Sequence, residues 1–272
     1  MCYRARMSGS VLPRLRVIHH LARTGGTVIS KCIASLPGVV LLSEVHPVGM
    51  GFKQLRLYNP LVQAGAWFGL ISRREFDKAE AEGMGFAEAI ALIEGRASAR
   101  GKVLVIRDWT HLDYTGLPFV RRPPMRMLLP EALADRFDLT RIATVRHPID
   151  QWLSLTKLPG YDRIRPAMFM PGYRRFAEHA AEMGFIRYED FTRQPDAQMR
   201  LLCGRLDLAF DTSYASRWAD YRTITGDNTG RSSGSRRIEP LPRRQTDPAL
   251  LEEFRNLPDY GLAIRLLGYA ED

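Results

Sequence analysis

Short apolar runs alternate along the chain with segments of helical periodicity. The apolar runs are rich in β-branched residues and have the length of buried strands. They cover Leu15–Leu21, Val39–Leu42, Lys102–Arg107, Arg141–Arg146 and Phe185–Tyr188. Helical patterns stand between or after them, at residues 27–36, 74–99, 148–157, 173–182, 192–206 and 247–256. Strands that alternate with helices predict an α/β fold of three layers around a mostly parallel central sheet.

Two segments depart from this alternation within what we expect to be one domain spanning residues 1–272. Residues 49–100 begin with an irregular aromatic and apolar stretch and continue into helices, which predicts an insertion packed over one edge of the sheet. This stretch is either ordinary core or the wall of a substrate pocket. Residues 222–244 are rich in Gly, Ser and Arg, which predicts a flexible basic surface loop.

Composition places the chain among ordinary globular proteins. Hydrophobic residues make up 45% and charged residues 25% of the sequence. No run approaches the roughly 20 apolar residues of a membrane-spanning helix, so we expect no stable membrane insertion. The sequence shows no signal peptide, and the sparse cysteines Cys2, Cys32 and Cys203 are typical of a reducing cytoplasm. These observations predict a cytoplasmic protein without disulfides or a structural metal.

The net charge favours an anionic partner. The chain has 39 basic and 30 acidic residues, a formal charge of +9. A basic balance attracts anions in general. Charge alone therefore leaves nucleic acid, nucleotide and acidic substrate open.

The first candidate site is a glycine loop between the first strand and its helix. Its sequence is Arg23-Thr-Gly-Gly-Thr27. Glycines at such a turn let backbone N–H groups converge beside the positive end of a helix, which makes a cradle for an anion. A Walker A loop is longer and has a Lys after its last Gly, whereas Lys31 lies one turn into this helix. Binding of Mg-NTP is therefore disfavoured, and an ordinary tight turn is the alternative.

The second candidate site begins where the fourth strand ends. Arg146 leaves the strand tip, Pro148 suits the first turn of the next helix, and Ser154 lies two turns along that helix. A guanidinium and a hydroxyl on one side of a sheet edge suit a phosphate. The alternative is a surface pair between Arg146 and Asp150 with an exposed Ser154.

Together these segments resemble the nucleotide-binding motifs of sulfotransferases that use 3′-phosphoadenylyl sulfate (PAPS). In that family a loop like residues 23–27 holds the 5′-phosphosulfate, and a segment like RHPIDQWLS at 146–154 holds the 3′-phosphate. A third segment, IRYEDF at 186–191, resembles the family element whose Tyr contacts adenine. The resemblance covers residues 15–240 and implies a P-loop-like nucleotide-binding topology, PAPS as donor, adenosine 3′,5′-bisphosphate (PAP) as product, and no metal.

The resemblance also implies which residues bind the nucleotide. Tyr188 would lie at the adenine, and the basic loop at 222–244 would add Arg231 and Arg237. The remaining residues would hold the two phosphate groups: Arg23, Thr24, Gly25, Gly26, Thr27 and Val28 at the 5′ end, and Arg146 and Ser154 at the 3′ end.

Several residues are candidates for the catalytic base. Glu44 follows Arg23 by the interval at which protein-tyrosine sulfotransferases have a catalytic Glu. His111, in Thr110-His-Leu112, is similar to the catalytic His of cytosolic sulfotransferases. His46 and Asp108 are neighbouring alternatives. Arg107 stands where the family has a Lys that contacts the sulfuryl group, so the resemblance gives Arg107, with Arg23, a role in stabilising charge.

The sequence thus predicts transfer of a sulfuryl group from PAPS to a hydroxyl or amine by in-line displacement with a carboxylate base. The acceptor is a small molecule, a glycan or a peptide. One alternative is an ATP-dependent small-molecule kinase, which the missing G-K-[ST] disfavours. The other is a basic nucleic-acid-binding protein, but no nucleic-acid-binding motif is present, so we expect no nucleic-acid partner.

Overall fold

The computed structural model describes residues 11–226 and 237–270. Its centre is a sheet of five parallel strands in the order β2-β3-β1-β4-β5. The strands are β1 Arg14–His20, β2 Val39–Val45, β3 Val103–Asp108, β4 Asp138–Val145 and β5 Phe185–Arg187. The predicted parallel α/β fold is confirmed. The fifth strand is one residue shorter than predicted, because Tyr188 already begins a helix.

Helices cover both faces of the sheet and fill the connections. Two short 3-10 segments, Lys53–Tyr58 and Trp218–Asp220, accompany them. The α-helices are α1 Gly26–Ala34, α2 Pro47–Met50, α3 Pro60–Phe68, α4 Arg73–Ala81, α5 Phe86–Ser98, α6 His111–Tyr114, α7 Leu128–Leu133, α8 Pro148–Leu155, α9 Pro166–Met183, α10 Tyr188–Arg193, α11 Pro195–Arg205, α12 Tyr214–Arg217, α13 Pro248–Arg255 and α14 Pro258–Leu267.

Alternating strand residues divide the core into the two layers beside the sheet. Val17 packs on one face with Ile106 and the crossover helices. Its neighbour Ile18 packs on the other face with Ile29 of α1 and Leu202 of α11. Adjacent strand side chains point to opposite faces, so the adjacent buried pair Val17 and Ile18 is what a strand covered on both sides requires.

The segment at 49–100 is the crossover between the neighbouring parallel strands β2 and β3. Its helix α3 contacts β2 and its helix α5 contacts β3. The helical pattern at 74–99 forms two helices, α4 and α5. They are separated because Gly83 adopts φ 66° after α4 and Gly85 is the N-cap of α5, where Glu88 accepts a hydrogen bond from the Gly85 N–H.

Other helix predictions also need correction. The helix predicted at 173–182 is longer, since α9 begins at Pro166 and includes Pro171. The helix predicted at 192–206 is two helices, α10 and α11, and α14 was not predicted. Within 11–226 and 237–270, no helix combines the length and the apolarity needed to cross a membrane.

Candidate active site

A cavity of about 490 Å³ opens at the carboxyl ends of the parallel strands. Ligands of open α/β sheets bind at this edge. The loops that follow β1, β2, β3 and β4 all contribute side chains to the wall. The lining includes His20, Arg23, Gly25, Gly26, Thr27, Val28, Glu44, Tyr58, Arg107, Trp109, His111, Phe119, Arg146, Ser154, Tyr161, Tyr188, Trp218, Arg237 and Arg244.

The loop after β1 turns sharply into α1. Arg23 and Gly25 adopt positive φ angles of 69° and 84°. Helix α1 begins at Gly26, and the first N–H groups of a helix have no carbonyl partner within it. The Val28 N–H donates to the Gly25 carbonyl at 3.0 Å. The N–H groups of Gly26 and Thr27 therefore remain at the positive end of the helix, beside the cavity.

Thr24 has a different place from the other loop residues. Its buried hydroxyl donates to the Leu21 carbonyl at 3.0 Å and lies 3.5 Å from the Thr144 hydroxyl. Thr24 is absent from the cavity wall. Its side chain stabilises the turn after β1 from the buried side.

Both glycines of the loop are in close contact with rings. A Cβ atom on Gly25 would lie 2.0 Å from Cδ2 of Tyr188. A Cβ atom on Gly26 would lie 2.7 Å from Cδ2 of His20. Side chains at these positions would displace the rings, so the shape of the loop depends on Gly at both.

The two predicted phosphate sites adjoin in this one cavity. Arg23 Nε donates to Ser154 Oγ at 3.0 Å, which joins the loop after β1 to α8. Arg146 Nη1 donates to the Arg23 carbonyl at 3.5 Å. The Arg146 guanidinium also lies 5.1 Å from the centre of the Tyr188 ring. A cation on an aromatic face forms a favourable contact, and it fixes Arg146 beside the predicted adenine-binding Tyr188.

Asp150 does not contribute to a surface pair with Arg146. Its carboxylate is buried, and Oδ2 lies 2.5 Å from Nε of Arg243. Its Oδ1 accepts the backbone N–H of Arg244 at 2.8 Å. Asp150 thus binds the end of the basic segment at 222–244 to the first turn of α8.

Glu44 reaches the cavity from an irregularity at the end of β2. The pairing of β2 with β3 shifts register between Ser43 and Val45, and Glu44 between them has φ 53°. A bulge of this kind redirects a side chain. The Glu44 carboxylate lies against Gly226, where a Cβ atom would be 3.1 Å from Oε1.

Arg107 holds the Glu44 carboxylate and four other groups. It is 3% exposed. Nη2 donates to Glu44 Oε1 at 3.2 Å and to Thr27 Oγ1 at 3.1 Å. The other contacts are Nη1 to Ser43 Oγ and to the Thr225 carbonyl, and Nε to His20 Nε2, each at 3.0 Å. A guanidinium has five N–H groups, and these five hydrogen bonds account for all of them.

Two of the alternative bases are buried away from the cavity. Asp108 is fully buried and accepts from His19 Nδ1 at 2.8 Å and from the Thr110 hydroxyl at 2.7 Å. His46 Nε2 donates to Asp113 at 3.1 Å, and its Nδ1 accepts the Val48 N–H. Neither Asp108 nor His46 lines the cavity.

His111 lines the cavity, but both ring nitrogens have partners. Nε2 donates to the Leu117 carbonyl at 2.7 Å, and Nδ1 is bonded to the Thr115 hydroxyl. Burial lowers the pKa of His111 below its ordinary value, so the ring is neutral. To act as a base, His111 has to break its bond to Thr115.

Beyond Glu44 the cavity wall is aromatic. Tyr58 stacks on Trp109 at 4.2 Å between ring centres, and Phe119 packs edge-on against Trp109 at 4.9 Å. The ring centres of Tyr161 and His111 are 5.9 Å apart. Burial, with the nearby Glu44 carboxylate, raises the pKa of Tyr58 to about 12. These hydroxyls stay protonated at neutral pH, so this end of the cavity presents uncharged rings.

Several cavity residues were not singled out in the sequence. His20 and Trp109 stand at the carboxyl ends of β1 and β3, and that position alone is a signal. Tyr161 and Arg244 come from irregular segments, which carry no such signal. Arg237 lines the cavity, whereas Arg231 lies outside the described residues. In the part of the chain that the structure describes, no three His, Cys, Asp or Glu side chains are grouped to hold a metal ion.

Comparison with known proteins gives a clear answer for the fold. No protein-family model matches the chain, and no curated protein matches it in sequence. The sulfotransferase domain of an olefin synthase from Synechococcus PCC 7002 is similar in structure with a TM-score of 0.67 at 18% identity, over 97% of this chain and 98% of that one. A sulfotransferase domain from the curacin biosynthetic pathway has a TM-score of 0.64 at 16% identity, over 97% and 100%. The chain has the fold of these sulfotransferase domains.

Proposed function

We propose that this chain, with its sulfotransferase fold, transfers a sulfuryl group from PAPS to the hydroxyl of an acceptor. One observation carries the proposal: the glycine loop and the Arg146–Ser154 segment share a single cavity and are joined by the 3.0 Å bond from Arg23 to Ser154. Two candidate anion-binding sites beside the Tyr188 ring suit an adenosine with phosphate groups at both its 5′ and 3′ positions.

The residues present fit PAPS. The N–H groups of Gly26 and Thr27 and the guanidinium of Arg23 would hold its 5′ end, and Arg146 and Ser154 its 3′-phosphate. Tyr188 and Trp218 line the same cavity and supply rings for the adenine. When bound, PAPS supplies an activated sulfuryl group and leaves as PAP.

Glu44 is the proposed base. Its Oε1 accepts from Arg107, whereas within 11–226 and 237–270 its Oε2 accepts no hydrogen bond. A carboxylate held by one oxygen keeps the other to take the proton of an acceptor hydroxyl. Arg107 orients Glu44 and Thr27, since its own N–H groups are all engaged.

The acceptor end favours an uncharged, apolar alcohol. Tyr58, Trp109, Phe119 and Tyr161 form its walls. Aromatic walls bind flat or hydrophobic surfaces with little cost in polar desolvation. We therefore place an aromatic or aliphatic alcohol ahead of an acidic glycan or a peptide.

The test is calorimetry with PAP and with ATP, on wild type and on Arg146→Ala. We expect PAP to bind more tightly than ATP, and Arg146→Ala to weaken PAP binding by about 10- to 100-fold, as for loss of a charge-assisted hydrogen bond. Arg74→Ala, at an exposed position of α4, removes the same charge and serves as control. Tighter binding of ATP, or equal PAP binding in Arg146→Ala, would overturn the proposal.

A further inference from the structure

Asp150 occupies a position that the nucleotide motif does not explain. It lies in the first turn of α8, between Arg146 and Ser154, and its side chain is 4% exposed. Both carboxylate oxygens are used, one by the Arg243 guanidinium and one by the Arg244 backbone. The motif aspartate therefore binds a distant part of this same chain, and it does not line the cavity.

This attachment brings Arg244 to the cavity. The backbone of Arg244 is fixed at 2.8 Å from Asp150, and its side chain lines the cavity that Arg146 and Ser154 also line. Asp150 and Ser154 are four residues apart on α8, so they lie on one face of the helix within about 6 Å. Arg244 therefore enters the wall at the end predicted for the 3′-phosphate.

The Arg244 guanidinium is prepared for an anion. Its Nε is buried without a hydrogen-bond partner, and across the described ranges no hydrogen bond or ion pair is made by its side chain. A buried donor left unpaired is unfavourable. Arg146 lines the same cavity, and within the described residues its only side-chain hydrogen bond is the long one to the Arg23 carbonyl. Two guanidinium groups with unused donors in one cavity match the several acceptor oxygens of a phosphate monoester.

We propose that Arg244 is a further binding residue for the 3′-phosphate and that Asp150 is the positioning residue that holds it there. This inference rests on the proposed function, since it takes the ligand of the cavity to be a 3′-phosphorylated adenosine. It gives the motif aspartate a role distinct from ligand contact.

The experiment measures binding of two probes, PAP and 5′-AMP, to the full chain by calorimetry. The two probes differ only in the 3′-phosphate. We expect Arg244→Ala to weaken PAP binding about 10- to 100-fold, the range for a charge-assisted hydrogen bond, while 5′-AMP binding changes by less than about threefold. Arg74→Ala should change neither.

The outcomes separate this inference from the proposed function. If wild type prefers PAP to 5′-AMP and Arg244→Ala keeps that preference, Arg244 does not contact the 3′-phosphate, and the proposed function stands. If wild type binds both probes equally, the proposed function and this inference both fail. Loss of the preference in Arg244→Ala supports both.

The role of Asp150 is tested in the double variant. Asp150→Asn should weaken PAP binding in wild type and have little further effect in Arg244→Ala, because both changes remove the same contact. The thermal midpoint of each variant reports whether the fold is intact. Additive losses in the double variant would show that Asp150 does not act through Arg244.

Discussion

Two arginines of one cavity, Arg146 and Arg107, differ in how many of their guanidinium N–H groups have acceptors within the protein. Among the residues that the structure describes, Arg146 makes one long hydrogen bond, to the Arg23 carbonyl at 3.5 Å, and it lies over the Tyr188 ring. Arg107 donates from every N–H group to protein acceptors at 3.0 to 3.2 Å. Both side chains are buried at strand ends, at 8% and 3% exposure. Arg146 retains donors for a ligand, whereas Arg107 has none left.

Position in a motif therefore does not decide the role of an arginine. The resemblance gave Arg107 direct contact with the sulfuryl group. The bonding of Arg107 favours a scaffold role in which it fixes Glu44, Thr27, Ser43 and His20 relative to each other. Removal of Arg146 should therefore affect binding, and removal of Arg107 should affect the fold around the base.

The largest effect should come from the group that this scaffold orients. Glu44→Gln keeps an oxygen for Arg107 but removes the base, so the rate constant of sulfuryl transfer should fall about 10²- to 10⁴-fold. The measurement is single-turnover transfer from PAPS to an aromatic alcohol that wild type sulfates. PAP affinity, measured by calorimetry, should stay within about threefold of wild type. Undiminished turnover in Glu44→Gln would remove Glu44 as the base.

Arg107→Ala should cost about 3–5 kcal/mol of unfolding free energy, because it strands a buried carboxylate and several buried acceptors. The measurement is urea unfolding. Arg146→Ala is the matched control and should cost about 1 kcal/mol or less, since it loses a single long hydrogen bond. Equal losses of unfolding free energy in Arg107→Ala and Arg146→Ala would show that the two arginines do not differ in their structural role.

A substitution pair tests the main-chain part of the nucleotide end. Gly25 and Gly38 have nearly equal φ angles of 84° and 80°, but only Gly25 faces a ring where a Cβ would go, and Gly38 faces open space. Ala at either position should cost about 1–2 kcal/mol of stability for the left-handed backbone. Gly25→Ala should also displace Tyr188 and weaken PAP binding about 10-fold or more, an amount typical of a lost aromatic contact.

Calorimetry compares PAP binding, and urea unfolding compares stability, between Gly25→Ala and Gly38→Ala. Gly38→Ala should bind PAP as wild type does, because no atom lies within 4 Å of its new Cβ. Unchanged PAP binding in Gly25→Ala would mean that Tyr188 does not contribute to the nucleotide site.

The strands and the nucleotide segments were predictable because their signals are local. Continuous β-branched runs identify buried strands, and glycines between a strand and a helix identify an anion loop within a few residues of sequence. The parallel order of strands then brings Arg23 and Arg146 together, since the loop after β1 and the tip of β4 are neighbours. This part of the site requires no knowledge of side-chain packing.

The remaining features depend on contacts between distant residues. The bonding of Arg107 joins residues 20, 27, 43, 44 and 225, and no local pattern predicts such a set. Glu44 enters the cavity through a bulge that its own segment does not signal. The break between α4 and α5 also follows from a left-handed Gly83 inside the helical pattern at 74–99.

The smallest expected effect is a change in how the unfolding free energy depends on pH, and it comes from His20. Burial, together with the neighbouring Arg107 charge, holds the pKa of His20 well below its ordinary value, so His20 is neutral in the folded chain. In the unfolded chain it takes up a proton below about pH 6.5. The unfolded state then binds more protons, so this residue lowers stability by about 1.4 kcal/mol per pH unit as the pH falls below 6.5.

His20→Gln removes that titration and offers Arg107 Nε an amide oxygen in place of Nε2. Urea unfolding between pH 7 and 5 should therefore show a slope shallower by about 1.4 kcal/mol per pH unit than in wild type.

His46→Gln is the control. Burial opposes the charged form of His46, but the bond to Asp113 prevails and raises its pKa. Its stabilisation is complete below pH 6.5 and is lost as the pH rises, so the slope below pH 6.5 should match wild type. If the unfolding free energies of wild type and His20→Gln change with pH in parallel, the His20 ring accepts a proton in the folded chain. The contacts around Arg107 would then be looser than its five hydrogen bonds indicate.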